Sequence, residues 1–98
     1  YGTPVTVQTL SKIEQAETFL RGLGLKEVRA RHHDQLCRVE VGAGEMELAF
    51  SHRLAIVESI KKIGYLWVSL DLAGLRSGSL NDQLELGPKP KANSGRGA

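Results

Sequence analysis

Two short runs of alternating apolar and charged residues, separated by three polar ones, constrain this chain more than any other feature. Across 26–32, Val28, Ala30 and His32 fall on one side of an extended backbone, and Glu27, Arg29 and Arg31 on the other. Across 36–41, Cys37, Val39 and Val41 alternate with Arg38 and Glu40. A period of two is the mark of a half-buried strand. The connection His33-Asp34-Gln35 is too short for a crossover, so the two strands must fold back as an antiparallel hairpin. One face of that hairpin seeks a core, and the other carries the arginines.

The flanking segments supply helices to cover the apolar face. Ser11-x-x-Glu14 has capping-box form and sets a helix start at Ser11. Ile13, Ala16, Leu20 and Leu23 mark one face of this helix, and Gly22 and Gly24 stop it. After Gly42 and Gly44, Glu45 to Phe50 fits a short helical turn. A second amphipathic helix over 52–63 places Ile56, Val57, Ile60 and Ile63 inward and Arg53, Glu58, Lys61 and Lys62 outward, with Gly64 as its terminator. A third strand over 65–72 puts Leu66, Val68, Leu70 and Leu72 on the core side, and Tyr65, Trp67, Ser69 and Asp71 on the other. The order helix, strand, strand, helix, strand predicts a small α+β sandwich, with one antiparallel or mixed sheet covered by two helices. Residues 11–85 form this domain. The stretch before it is loop-like, broken by Gly2 and Pro4, and 86–98 reads as a disordered tail, with no apolar side chain larger than Ala or Pro from Gly87 onward.

Bulk properties narrow the class. The chain's 98 residues allow one compact domain. A single cysteine, Cys37, permits no internal disulfide, which fits a reducing, cytoplasmic setting. No apolar run approaches the roughly 18 residues of a membrane span. No basic segment followed by an apolar stretch marks a signal peptide. A net charge of +2 is too small to argue for nucleic acid by charge alone. Tyr1-Gly2-Thr3-Pro4 reads like the middle of a loop, as in a fragment.

Candidate chemistry concentrates on cations. Arg29 and Arg31 are two apart on one strand, so they project to the same face about 7 Å apart. Two guanidinium groups so placed can grip a phosphate or carboxylate, or can form a solvated face with Glu27 and Glu40 as neighbours. Arg76 lies in Gly74-Leu75-Arg76-Ser77-Gly78-Ser79, where backbone N–H groups and the Ser77 and Ser79 hydroxyls offer donors to an anion; an ordinary surface turn has the same composition. Glu17 interrupts the apolar stripe of the first helix, as a surface acid or as a partner for a cation. His32 and His33 are adjacent on a strand and point to opposite faces, so they do not share a metal ion. Cys37 falls on the core side, where a cysteine behaves as a small hydrophobe. Tyr65 and Trp67 on the polar face of the third strand suggest a covered surface. The sequence has no glycine-rich phosphate loop at a strand-to-helix junction, and no paired-carboxylate or Ser/His/Asp arrangement.

Three stretches in order resemble one family. They are Ile13-Glu14-Gln15-Ala16-Glu17 with Phe19-Leu20; Val28-Arg29-Ala30-Arg31-His32-His33 through Arg38-Val39-Glu40-Val41; and Val68-Ser69-Leu70-Asp71-Leu72-Ala73-Gly74-Leu75-Arg76-Ser77-Gly78-Ser79-Leu80-Asn81. Together they resemble the LarE-type ATP-dependent sacrificial sulfur transferases of the pyrophosphatase-loop superfamily, in their C-terminal domain. Tyr1 to Thr6 resembles the segment after that family's Cys-x-Ala-Ser-Arg motif. The resemblance implies that 1–10 is a linker from an N-terminal domain that binds ATP and Mg²⁺. It further implies adenylation of a carboxylate of a pyridinium mononucleotide and attack by a cysteine whose sulfur stays on the product, a precursor of the nickel-pincer cofactor. It implies a homo-oligomer, and assigns Arg29, Arg31 and Arg76, with Glu17 nearby, to the substrate phosphate. The chain itself holds neither the Ser-Gly-Gly ATP loop nor the sacrificial cysteine, so no catalytic residue and no cofactor is expected within it.

Two other readings compete. A stand-alone interaction or oligomerisation module would dock a partner on the Tyr65/Trp67 face. An RNA-binding module would use the arginines and the same aromatics, and would show steep salt dependence; it ranks last because the charge is slight.

Overall fold

The computed structural model describes residues 6–75. Its elements are α1 (Val7–Gly22), β1 (Val28–His33), β2 (Leu36–Val41), a 3₁₀ turn (Ala43–Glu45), α2 (Met46–Ser51), α3 (Arg53–Ile63) and β3 (Trp67–Leu70). The expected α+β architecture is present, with three helices and a mixed three-stranded sheet in the order β1-β2-β3.

The hairpin forms as its alternation requires. Val28 pairs with Val41 and His33 with Leu36, leaving a two-residue turn in which Asp34 adopts φ 58°. Asp tolerates that left-handed conformation better than most side chains. β3 runs parallel to β2, pairing Leu36 with Trp67 through Val39 with Leu70. A parallel neighbour needs a long crossover, and the 3₁₀ turn, α2 and α3 provide it.

The core lies between the sheet and the helices. Ala16 and Leu20 of α1, Leu25, Val28 and Ala30, Cys37, Val39 and Val41 of β2, Ala49, Ile56, Ile60 and Tyr65 are buried together. Ile13, Phe19, Leu23, Met46, Ile63, Val68 and Leu70 pack against them. The α1 and hairpin faces read from the sequence are therefore the observed ones.

Three details differ. First, α1 begins one turn before Ser11, inside the stretch read as linker. Thr6 is its N-cap, its Oγ1 accepting from Thr9 N at 3.0 Å. Ser11 sits within the helix and accepts from Gln15 Nε2 at 3.1 Å. Val7 and Leu10 are exposed, so this first turn has no apolar stripe to announce it. Second, Val57 is exposed rather than inward. Third, β3 is shorter than expected: Trp67 faces outward and Val68 and Leu70 pack on the core as the alternation requires, but the residues flanking the strand depart from it. Leu66 N and Trp67 N both donate to Gln35 O, at 2.9 and 3.1 Å. Two consecutive donors on one carbonyl interrupt the two-residue period, as a bulge does. Tyr65 thus turns into the core, while Leu66 and Leu72 are exposed.

Leu20, with no exposed surface, ties α1 to the sheet. Its truncation to Ala should cost about 2–5 kcal/mol of stability, as for other buried leucines. Val7→Ala, at an exposed position, should change stability by less than about 0.5 kcal/mol. Urea unfolding monitored by Trp67 fluorescence reads both, and equal losses would show that the core is not organised as described.

Candidate anion-binding face

The sheet face turned away from the helices is where the hairpin places its charged residues. Arg29 and Arg31 alternate with buried Val28 and Ala30, and both are exposed. The register sets Arg29 opposite Glu40 and Arg31 opposite Arg38. Directly opposed side chains on a sheet have Cβ atoms about 5 Å apart, so two guanidinium groups at 31 and 38 would repel. Glu40 lies under both. Its Oε1 accepts from Arg31 Nε at 3.0 Å, and its Oε2 accepts from Arg38 Nη1. The two arginines cover Glu40, which is why a carboxylate on the outer face is nearly buried.

Arg38 reaches further. Its Nη1 also donates to Asp71 Oδ2 at 2.7 Å, and its Nε donates to His33 Nε2 at 3.2 Å. Asp71 Oδ1 accepts from Ala73 N at 2.9 Å, which holds the turn after β3. Gly74 takes φ 81° there, and Leu75 N then donates to Val41 O at 2.7 Å. The backbone is thereby returned to the end of β2, one residue before Arg76.

The guanidinium groups differ in what remains available. Arg29 Nη1 donates only to the carbonyl of Val28, at 3.2 Å, among the described residues. Arg31 engages Glu40 through Nε, so its two terminal nitrogens stay available. The pair carries the donor fork that suits a phosphate or carboxylate oxygen.

Glu17 belongs to a different part of the strand. Its Oε2 accepts from Ala30 N at 3.0 Å, and its Oε1 from Arg21 Nη2 at 3.4 Å. β1 is an edge strand, and Glu17 satisfies one of its outward N–H groups. Arg29 and Arg31 are thus brought onto one face, with Glu17 at the edge of the same strand. Arg76, Ser77 and Ser79 lie outside the described residues, as does the 86–98 tail. Arg38 and Asp71 were not singled out from the sequence. Alternation already put Arg38 beside Arg31, but Asp71 joins them only through the parallel β2–β3 pairing.

The other candidates resolve differently. His32 Nδ1 is 2.8 Å from the Tyr65 hydroxyl on the core side, whereas His33 bonds Arg38 outside. No group of His, Cys, Asp and Glu among the described residues could hold a metal ion. Tyr65 is buried and does not form an exposed aromatic face with Trp67, which is 64% exposed. No helix among the described residues is long and apolar enough to cross a membrane. A separate apolar groove of about 160 Å³ opens between α2, α3 and β3, lined by Val39, Phe50, Ile56, Val57, Val68 and Leu70.

Cys37 is fully buried, and its thiol is pushed up to about 11, first by burial and then by the Glu17 charge. Burial, with Cys37 beside it, pushes the Tyr65 hydroxyl up to about 12. A thiol so placed is a poor nucleophile at neutral pH. Both groups hold their protons more tightly folded than unfolded, so their contribution to stability is complete below about pH 9 and is lost as pH rises through about 11 to 12. Unfolding midpoints measured from pH 8 to 11 should fall, and Cys37→Ala should flatten the decline; an equally steep decline in the variant would contradict this assignment.

No protein-family profile matches the chain. It is 36% identical over 86 residues to the pyridinium-3,5-bisthiocarboxylic acid mononucleotide synthase of Lactiplantibacillus plantarum, which covers 86% of this chain and 30% of that protein. It is also 36% identical over 84 residues to an uncharacterised protein of Synechocystis sp., covering 83% of this chain and 31% of that one. The chain thus spans about 30% of the length of the curated relatives it matches. It is a relative of the LarE-type sulfur transferases over a stretch the size of one domain, consistent with their C-terminal domain alone.

Proposed function

We propose that this chain is the substrate-binding portion of an ATP-dependent sulfur transferase that thiolates an adenylated carboxylate of a pyridinium mononucleotide, on the way to the nickel-pincer cofactor. Its part is to hold the substrate's phosphate. The observation that carries the reading is the pairing of Arg29 and Arg31 on one open sheet face, both with donors to spare. The kinship with a synthase named for a pyridinium mononucleotide supports the same substrate class. A mononucleotide phosphate carries nearly two negative charges at neutral pH, and a guanidinium pair recognises it by charge-assisted hydrogen bonds.

The remaining parts follow from that reading. Arg76, with Ser77 and Ser79, which follow in sequence, is assigned to the same phosphate. Glu17 sits behind the strand and sets the position of Ala30, between the two arginines. ATP, Mg²⁺ and the sulfur-donating cysteine belong to a pyrophosphatase-loop partner, either an N-terminal domain or a separate chain, and the working assembly is a homo-oligomer. In this division of labour the arginines fix the substrate through its phosphate, leaving its carboxylate free to meet ATP. Binding a non-reacting group to orient a reacting one is a main source of enzymic rate.

A second reading, an interaction or oligomerisation module without catalysis, is favoured by the apolar groove and by the exposure of Phe50, Trp67 and Leu72. One titration separates the two. By calorimetry, inorganic phosphate should bind the chain saturably, and Arg29→Met and Arg31→Met should each weaken binding about tenfold, the loss of one charge-assisted contact. No binding at millimolar phosphate, together with self-association that Trp67→Ser abolishes, would replace the phosphate reading with the second one.

A further inference from the structure

Three arginines share the outer face, yet they are not equivalent. Arg38 uses Nη1 for both Glu40 and Asp71 and Nε for His33. Arg31 uses only Nε, and Arg29 only one bond to a backbone carbonyl. The cation with the most protein partners is the central one in the sheet, on β2, whereas on β1 Arg31 keeps both terminal nitrogens to spare and Arg29 all but one bond.

We infer that Arg38 is a positioning residue of the anion site: it occupies one oxygen of Glu40, and in doing so keeps the terminal nitrogens of Arg31 turned toward the ligand. The inference rests on the phosphate reading given above. Its physical basis is competition for one carboxylate. Glu40 offers two oxygens, and each is taken by a different arginine. A carboxylate facing a single guanidinium prefers the bidentate, fork-to-fork arrangement. Without Arg38, Glu40 would take Arg31 through both Nε and a terminal nitrogen, withdrawing the fork that an incoming anion needs.

Charge works in the same direction. Glu40 puts a negative charge beside a site meant for an anion, and Arg38 touches it. At the effective dielectric of a protein surface, one uncompensated carboxylate several ångströms away repels a phosphate strongly enough to lower its affinity about tenfold. Arg38 therefore prepares the face for an anion without contacting one.

A double-mutant cycle tests this by phosphate calorimetry on the whole chain, with Arg38→Met, Glu40→Gln and the two combined. Arg38→Met should weaken phosphate binding about tenfold. Glu40→Gln alone should change it by less than about threefold, because Arg38 and Asp71 still hold each other. The double variant should recover to within about threefold of the parent, because the carboxylate that holds Arg31 is gone. Replacing both partners of a covered pair is tolerated better than removing one, so the double variant keeps the test readable if Arg38→Met unfolds. A double variant as weak as Arg38→Met, or weak where the single variant cannot be measured, would mean that Arg38 itself holds the anion and would overturn the inference. So would normal binding by a folded Arg38→Met. Failure of the parent chain to bind phosphate would instead remove the phosphate reading, and this inference with it.

Discussion

The structure depends on β2 being the middle strand. It pairs antiparallel with β1 through a two-residue turn and parallel with β3 through the helical crossover. Every second side chain of β2 therefore has neighbours on both sides. Cys37, Val39 and Val41 face the helices and are buried to 1% exposure or less, whereas Arg38 and Glu40 face outward between two strands. One strand thus organises the core on one side and the charge array on the other. A one-residue slip of its pairing would exchange the two faces and place Arg38 and Glu40 in the core. The requirement to bury the apolar set is what fixes the register that aligns Arg31 with Arg38 and Arg29 with Glu40.

Electrostatics then sorts the outer face into fixed and available charge. Glu40 is tolerable where it is only because two guanidinium groups cover it; a nearly buried carboxylate without partners would be costly. The array is asymmetric. Toward β3, Arg38 is held by Glu40, Asp71 and His33, and the following turn is tied back to Val41. Toward β1, Arg29 and Arg31 keep free donors at an open surface. A rigid cationic platform on regular strands is better suited to fixing a ligand than the same residues on a loop would be.

Much of this was legible in the sequence, for a simple reason. Alternation over 28–41 specifies both the hairpin and its two faces, and the three-four spacing of Ile13, Ala16, Leu20 and Leu23 specifies the helix face that covers it. What the sequence hid is non-local. The start of α1 is set by the Thr6 cap in a turn with no buried residue, so apolar periodicity is silent there. The approach to β3 is set by two donors, Leu66 N and Trp67 N, converging on the sequence-distant Gln35 O, and this is why Tyr65 joins the core against its alternation. Asp71 reaches the arginine array only through parallel pairing, which no local pattern encodes. Glu17 stood out as a break in an apolar stripe, and the structure gives that break a cause in the unpaired N–H of an edge strand.

The central claim is that the outer face of the hairpin holds a substrate phosphate through Arg29 and Arg31. The most direct measurement is arginine side-chain NMR, following the Nε–Hε resonances of the whole chain during titration with nicotinic acid mononucleotide and, separately, with the riboside that lacks the phosphate. The account predicts saturable shifts at Arg29 and Arg31 with the mononucleotide, a smaller response at Arg38, and no shifts with the riboside. Equal shifts with both compounds, or shifts confined to residues around the Phe50 groove, would contradict it.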